Sequence, residues 1–240
     1  MKGYGKKLLR HASGFTLLES MISLLVLTVI VGAIFMQLQK AQANYKVEGQ
    51  KLDLAQQDRE FIDQFTRDLH QAGYPTPASL NITNLNAVVD PAGGNPNLVS
   101  AGITAISSRS LTMEGDLDGT GVIKVVNYNF SPGAGCPGAL PCVLRTVSTK
   151  GAGAPGTAYV EVQNLVANSG VFTALDNQGQ VVGLPQTLNA NATIGDPSYK
   201  NLRKIKAVNV SLTLQTTSQN VNGGAAPQVT MTGTARLTND

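Results

Sequence analysis

RHASGFTLLESMISLLVLTVIVGAIFM, residues 10–36, joins a short basic segment to a long apolar run with one acid near its start. Phe15 to Met36 is 22 residues containing a single charged side chain, Glu19. As a helix rising about 1.5 Å per residue it would be about 33 Å long, against a bilayer core of about 30 Å. Lys2, Lys6, Lys7 and Arg10 precede the run with no acid among them. The excess of positive charge predicts a single-pass segment with a cytoplasmic N-terminus and the bulk of the chain translocated.

Three readings share this segment. A secretory signal would be cut after the small residues Ala41-Gln42-Ala43, but its apolar region normally runs about 7–15 residues and carries no acid. A plain signal anchor gives Glu19 no purpose beyond snorkelling to the headgroups from the helix end. The third starts from the cost of that acid, about 2.5–3.5 kcal/mol within a membrane helix unless something pairs with it. A cut between Gly14 and Phe15 would create an ammonium at Phe15, one helical turn from Glu19. In a bundle of such helices the Glu19 carboxylate of one subunit could meet the Phe15 amine of its neighbour and neutralise both.

Gly14-Phe15-Thr16-Leu17-Leu18-Glu19-Ser20 followed by the apolar run resembles the class III leader and N-terminal segment of type IV pilins and related pseudopilins. The resemblance implies that a membrane prepilin peptidase cuts after Gly14 and methylates the amine of Phe15, and that Glu19 guides docking between subunits. It also implies an inner-membrane location before assembly, a pilus or cell-surface location afterwards, and other pilins and the inner-membrane assembly machinery as partners, with membrane lipid around the helix until then. The expected segments are a leader at 1–14, a membrane and assembly half of the helix at 15–36, an amphipathic half at 37–73 and an extracytoplasmic β-rich domain at 74–240.

The composition suits such a domain: 240 residues, 14% charged, 25 Gly and no Trp. Of 18 Lys and Arg, the four in the leader leave 14 against 15 Asp and Glu, so the mature chain is near minus one. The sequence pI of 8.9 therefore mostly reflects the leader and is no nucleic-acid footprint. One local basic cluster remains, Lys200, Arg203, Lys204 and Lys206, which reads as a lysine-guarded strand edge.

From Gln37 apolar residues recur at helical spacing at Leu38, Ala41, Tyr45, Leu52, Ala55, Ile62, Phe65, Leu69 and Ala72. Gly73 and then Pro75 supply a stop, so a helix is expected from about Phe15 to Ala72, close to 87 Å long, with a bend allowed at Gly49. Beyond Pro75 the period changes to two. Strands are expected at 111–114, 122–130, 143–147, 159–166, 171–175, 205–214 and 229–237, joined by turns such as Asp118-Gly119 and Asn177-Gln178-Gly179. The fold expected is α+β and pilin-like: a long N-terminal helix whose second half packs on one antiparallel sheet. Residues 84–100 and 183–200 read as loops.

The order of features also resembles the PilW-like minor pilins: Arg59-Glu60-Phe61, then His70-Gln71-Ala72-Gly73-Tyr74, Asp116-Leu117-Asp118-Gly119 ahead of a Tyr128 strand, and a closing pair of Thr-rich strands. It implies a low-abundance subunit that starts a filament or sits near its tip. A minor pseudopilin of type II secretion is the alternative, and a signal-anchored periplasmic enzyme or binding protein is the alternative of a different class.

Cys136 and Cys142 are the only cysteines and enclose five residues, which in an oxidising compartment predicts a disulfide. A zinc site is not expected, because the mature chain holds one histidine, His70. Glu114, Asp116 and Asp118 alternate ahead of Gly119 and form a candidate calcium cradle, although the glycine falls too early for an EF-hand and a polar turn explains the residues as well. No nucleophile elbow, phosphate loop or zinc-protease helix occurs, so neither a catalytic residue nor a cofactor is expected.

Overall fold

The computed structural model describes residues 16–77, 99–138, 140–152, 156–166, 170–189, 192–217 and 225–238. The chain divides into two compact units, Met1–Lys46 and Val47–Asp240. Helix α1 (Leu17–Gln71) is followed by strands β1 (Ile103–Ile106), β2 (Ser110–Gly115), β3 (Lys124–Ser131), β4 (Cys142–Thr149), β5 (Ala158–Val162), β6 (Phe172–Leu175), β7 (Val181–Val182) and β8 (Gln186–Thr187). A short helix α2 (Pro197–Leu202) and the long strands β9 (Ala207–Gln215) and β10 (Gln228–Arg236) close the chain. This is the expected α+β arrangement of one long N-terminal helix and antiparallel strands.

The strands make two sheets where one was expected. A six-stranded sheet runs β5-β4-β3-β2-β1-β8 and a four-stranded sheet runs β10-β9-β6-β7, with every pairing antiparallel. Asn164 explains the division. The strand expected over 159–166 stops at Val162, and Asn164 takes a left-handed φ of 63°, a conformation that Asn tolerates better than most residues. Past that kink the chain pairs with β9: Leu165 bridges Leu214, and Val166 N–H donates to the Thr213 carbonyl at 2.8 Å. The two expected turns do close antiparallel pairs, Asp118-Gly119 between β2 and β3 and Asn177-Gln178-Gly179 between β6 and β7.

Within the second unit, α1 buries Val47, Leu54, Asp58, Phe61, Phe65, Asp68 and Leu69, and Ala72 just past its end is buried too. The expected apolar stripe is out of phase in its first turns: Tyr45 and Leu52 are 79% and 71% exposed. The phase is set by aromatic packing further along. Phe61 and Phe65 meet the Tyr128 ring edge-on, with centroids 5.7 and 5.5 Å away, and Phe65 stacks on Phe172 at 5.9 Å. Tyr128 comes from the six-stranded sheet and Phe172 from the four-stranded one, so both sheets reach the helix through one cluster.

The stop works as expected. Gly73 has φ 84° and donates its N–H to the Glu114 carbonyl at 3.0 Å. Ala72 bridges Gly115, where a Cβ would stand 2.5 Å from the Gln71 carbonyl oxygen, so the close approach of helix end and β2 needs glycine. At Gly233 of β10 a Cβ would meet Ile62 at 2.8 Å, which brings the Thr-rich strand close beneath the helix.

Residues 183–200 are not a simple loop, since they contain β8, which pairs with β1, and most of α2. Asp196 caps α2 by accepting the Ser198 N–H, with Pro197 behind it. Lys200, Arg203, Lys204 and Lys206 therefore do not guard a strand edge. Lys200 lies on α2, Arg203 and Lys204 follow its end, and only Lys206 leads into β9. The loop read at 84–100 lies outside the described residues except for Val99 and Ser100.

Candidate functional site

The candidate site is the N-terminal segment of α1. Thr16 stands just before the helix and its hydroxyl accepts the Glu19 N–H at 3.3 Å, while its carbonyl accepts the Ser20 N–H at 3.1 Å. Thr16 thus caps the helix, and Glu19 occupies the third helical position, where an acid also complements the positive end of the helix dipole. This Thr-x-x-Glu signature was readable in the sequence and gives Glu19 a local role besides any role between subunits. Gly14 and Phe15 lie outside the described residues.

From Leu17 to Leu38 the helix is apolar on every side and exposed on every side. Leu17, Met21, Leu24, Val29, Phe35 and Met36 are each at least 60% exposed. The helix is long and apolar enough to cross a membrane. Two of its hydroxyls are satisfied within the helix. Ser20 Oγ donates to the Thr16 carbonyl at 3.3 Å and Thr28 Oγ1 to the Leu24 carbonyl at 2.8 Å, so neither needs water. A helix with no polar face is stable only inside lipid or among other helices. Glu19 is exposed, and its carboxylate accepts no hydrogen bond among the described residues.

Residues 9–35 match the prokaryotic N-terminal methylation motif. The match covers the basic residue Arg10, the Gly14-Phe15 pair, the Thr16 cap, Glu19 and nearly all of the exposed apolar helix. A prepilin-type leader of this kind implies processing by a prepilin peptidase. No curated protein and no solved structure matches the chain.

The other sequence candidates lie in the second unit. Cys136 and Cys142 are joined as a disulfide that closes the β3–β4 connection. So short a loop contributes about 2 kcal/mol by restricting the unfolded chain. Glu114, Asp116 and Asp118 do not converge. Glu114 is buried and its Oε2 accepts Lys150 Nζ at 2.8 Å and the Ala101 N–H at 3.1 Å. Asp116 accepts the N–H groups of Thr120 and Gly121, and Asp118 accepts the Thr120 hydroxyl at 2.6 Å, a bond that holds the Asp118 carboxyl below its usual range. Asp116 and Asp118 thus build the β2–β3 turn together. Among the described residues no three His, Cys, Asp or Glu side chains are grouped to hold a metal.

Two buried acids of α1 escaped the sequence reading. Asp68 of α1 accepts the Tyr128 hydroxyl at 2.7 Å, Arg145 Nε at 2.8 Å and Gln64 Nε2 at 2.7 Å, and pairs with the Arg145 guanidinium at 2.8 Å. Burial and the Asp68 charge push the Tyr128 hydroxyl far up, so it stays a donor. Burial alone would lower Arg145, but the Asp68 charge and the hydrogen bonds to Asp68 and Tyr128 together outweigh it and raise it. Asp58 is the opposite case: both oxygens are buried with no partner among the described residues, and desolvation lifts its carboxyl to about 7. No local spacing announces either acid, because the helix reading places acids on the solvent face.

Proposed function

We propose that this chain is a minor pilin of a type IV filament. A prepilin peptidase severs the Gly14–Phe15 bond and methylates the new amine of Phe15, so the covalent chemistry belongs to that enzyme and not to this chain. Before assembly the helix sits in the bacterial inner membrane with the basic leader on the cytoplasmic side, and afterwards the subunit is part of the filament at the cell surface. The observation that carries the reading is the apolar, fully exposed helix of residues 17–38, nearly all of which falls within the methylation motif. Nothing else in its own unit covers it among the described residues. In the filament, neighbouring helices replace lipid, and Glu19 meets the Phe15 amine of an adjacent subunit, which removes an isolated carboxylate from a low-dielectric bundle.

The PilW-like order of features supports a low-abundance subunit that starts the filament or sits near its tip. The pseudopilin of type II secretion shares the same leader and is the reading to separate from it. The test has two stages. Intact mass and N-terminal sequencing of protein recovered from membranes with and without active peptidase should show a chain starting at methylated Phe15 only with the peptidase. A start near Asn44, or an uncut chain in both strains, overturns the filament reading. Deletion of the protein should then reduce filament number while secretion continues; the reverse assigns it to the secretion system.

A further inference from the structure

Among the described residues, Asp58 is the only buried acid with no hydrogen-bond partner, and the assembly reading gives it no task. It is 0% exposed, and its neighbours one turn away on the same face of α1 are Leu54, Phe61 and Ile62. The sheets bring it no countercharge. Strands β6 and β9 carry no ionisable side chain, and β10 carries only Arg236, which is exposed. Tyr128 of β3 and Arg145 of β4 are bound to Asp68, ten residues further along the helix, and Glu161 of β5 lies in the field of Arg145 and Asp68. Glu114 of β2 pairs with Lys150, and Lys124 of β3 donates to Thr149. On α1 itself Lys51 pairs with Glu48, while Asp53, Arg59, Glu60 and Asp63 are exposed. A carboxyl so placed is tolerated in its neutral form and costly in its charged one.

Asp58 also divides the buried face of α1 into unequal parts. On its N-terminal side the buried residues are Val47 and Leu54, each 7% exposed, and Gly49 weakens the helix between them. The hydrogen bonds that tie this part to the sheet side are two neutral ones of 3.3 Å, Gln163 N–H to Gln57 Oε1 and Gln50 Nε2 to Thr217 Oγ1. On its C-terminal side Phe61, Phe65 and Leu69 are at most 1% exposed, and the Asp68 network pins the helix to β3 and β4. We propose that Asp58 is a proton-operated latch: with its carboxyl neutral, residues 47–58 stay docked on the sheets, and its ionisation undocks that stretch of α1 while Phe61 to Leu69 hold. Undocking returns the carboxylate to water and releases the turns that bury least carbon, so it is the least costly way to relieve the charge. Acid keeps the latch shut and rising pH opens it, because burial holds the proton on the docked carboxyl up to about pH 7 whereas a free one loses it near 3.8. The inference concerns the second unit alone and survives if the filament reading fails.

The test is amide hydrogen exchange of the full chain in neutral detergent across pH, read by mass spectrometry on peptides covering 50–58 and 61–71 and corrected for the intrinsic pH dependence of exchange. Protection of 50–58 should fall about tenfold per pH unit between about pH 4 and about pH 7, one proton being released per opening, and then level off. At every pH it should lie at least about 100-fold below the protection of 61–71, whose amides exchange only when the whole unit unfolds. Asp58→Asn and Asp58→Leu each remove the titrating proton and should each flatten the profile of 50–58. Either folded variant is decisive, and the wild-type profile stands without them. A flat wild-type profile, equal protection of the two segments, or an unchanged slope in a folded variant would each overturn the proposal.

Discussion

Residues 17–38 and 47–71 belong to one helix and solve opposite problems. The first stretch is apolar and exposed, with a single acid that accepts no hydrogen bond among the described residues. The second is largely polar by composition, yet buries two acids among its aromatic and aliphatic anchors. Its stability comes from inside the unit, from Phe61, Phe65 and the Asp68 network, whereas whatever covers the first stretch must come from outside. The difference teaches that an unpaired acid means different things in the two places. On the proposed filament reading it marks, at Glu19, a contact still to be made between molecules, and at Asp58 it marks an internal cost.

The comparison breaks most visibly at Glu19. Glu19→Ala is expected to lower incorporation into filaments by about 100-fold, the scale set by leaving a partner ammonium unpaired in an apolar bundle, while leaving the thermal midpoint of the second unit unchanged. Sheared-filament fractions and tyrosine circular dichroism on the same strain read the two quantities. A large drop in thermal midpoint would show that the first stretch is needed for folding as well.

Next in size is Asp68→Ala, which strands Arg145 in a half-buried site. It should cost about 3–5 kcal/mol and lower the midpoint by about 10 °C, with assembly reduced only through abundance. Asp58 predicts the opposite sign. Its folded carboxyl titrates at about 7 against 3.8 when free, so the folded state holds the proton more tightly. Stability is therefore full below about pH 4 and is lost as pH rises through about 7. Asp58→Asn should flatten that slope and stabilise the unit by about 2–4 kcal/mol at pH 8, measurable by urea unfolding across pH. The smallest effect belongs to Leu52→Ser, at an apolar but exposed position, where the change should stay within about 0.5 kcal/mol.

What the sequence disclosed follows the same division. Local signals were legible: the unbroken apolar run, the Gly73 and Pro75 stop, the Asp118-Gly119 turn, and the alternation of Val208, Val210, Leu212 and Leu214, which are all buried on one face of β9. Long-range signals were not. Glu114 and Lys150 are 36 residues apart, and Asp68 and Arg145 are 77, so nothing in either neighbourhood announces the pair. Tyr45 and Leu52 misled because hydrophobicity alone does not fix the rotation of a helix, whereas aromatic contacts to Tyr128 and Phe172 do. The second sheet hinged on one residue, Asn164, inside what reads as a continuous strand. Strands β7 and β8, of two residues each, are too short to carry a period.

Thr16 has one more consequence. The residue that fixes where the helix starts lies on the retained side of the Gly14–Phe15 bond. Cleavage there, as proposed, would take nothing from the first turn: the Glu19 amide would keep Thr16 as its acceptor, and the product would begin with the same helix end as the precursor. Maturation on this scheme changes the charge at the tip without refolding the rod behind it. On the proposed reading, one severed bond would switch a subunit waiting in the membrane from inert to assembly-competent.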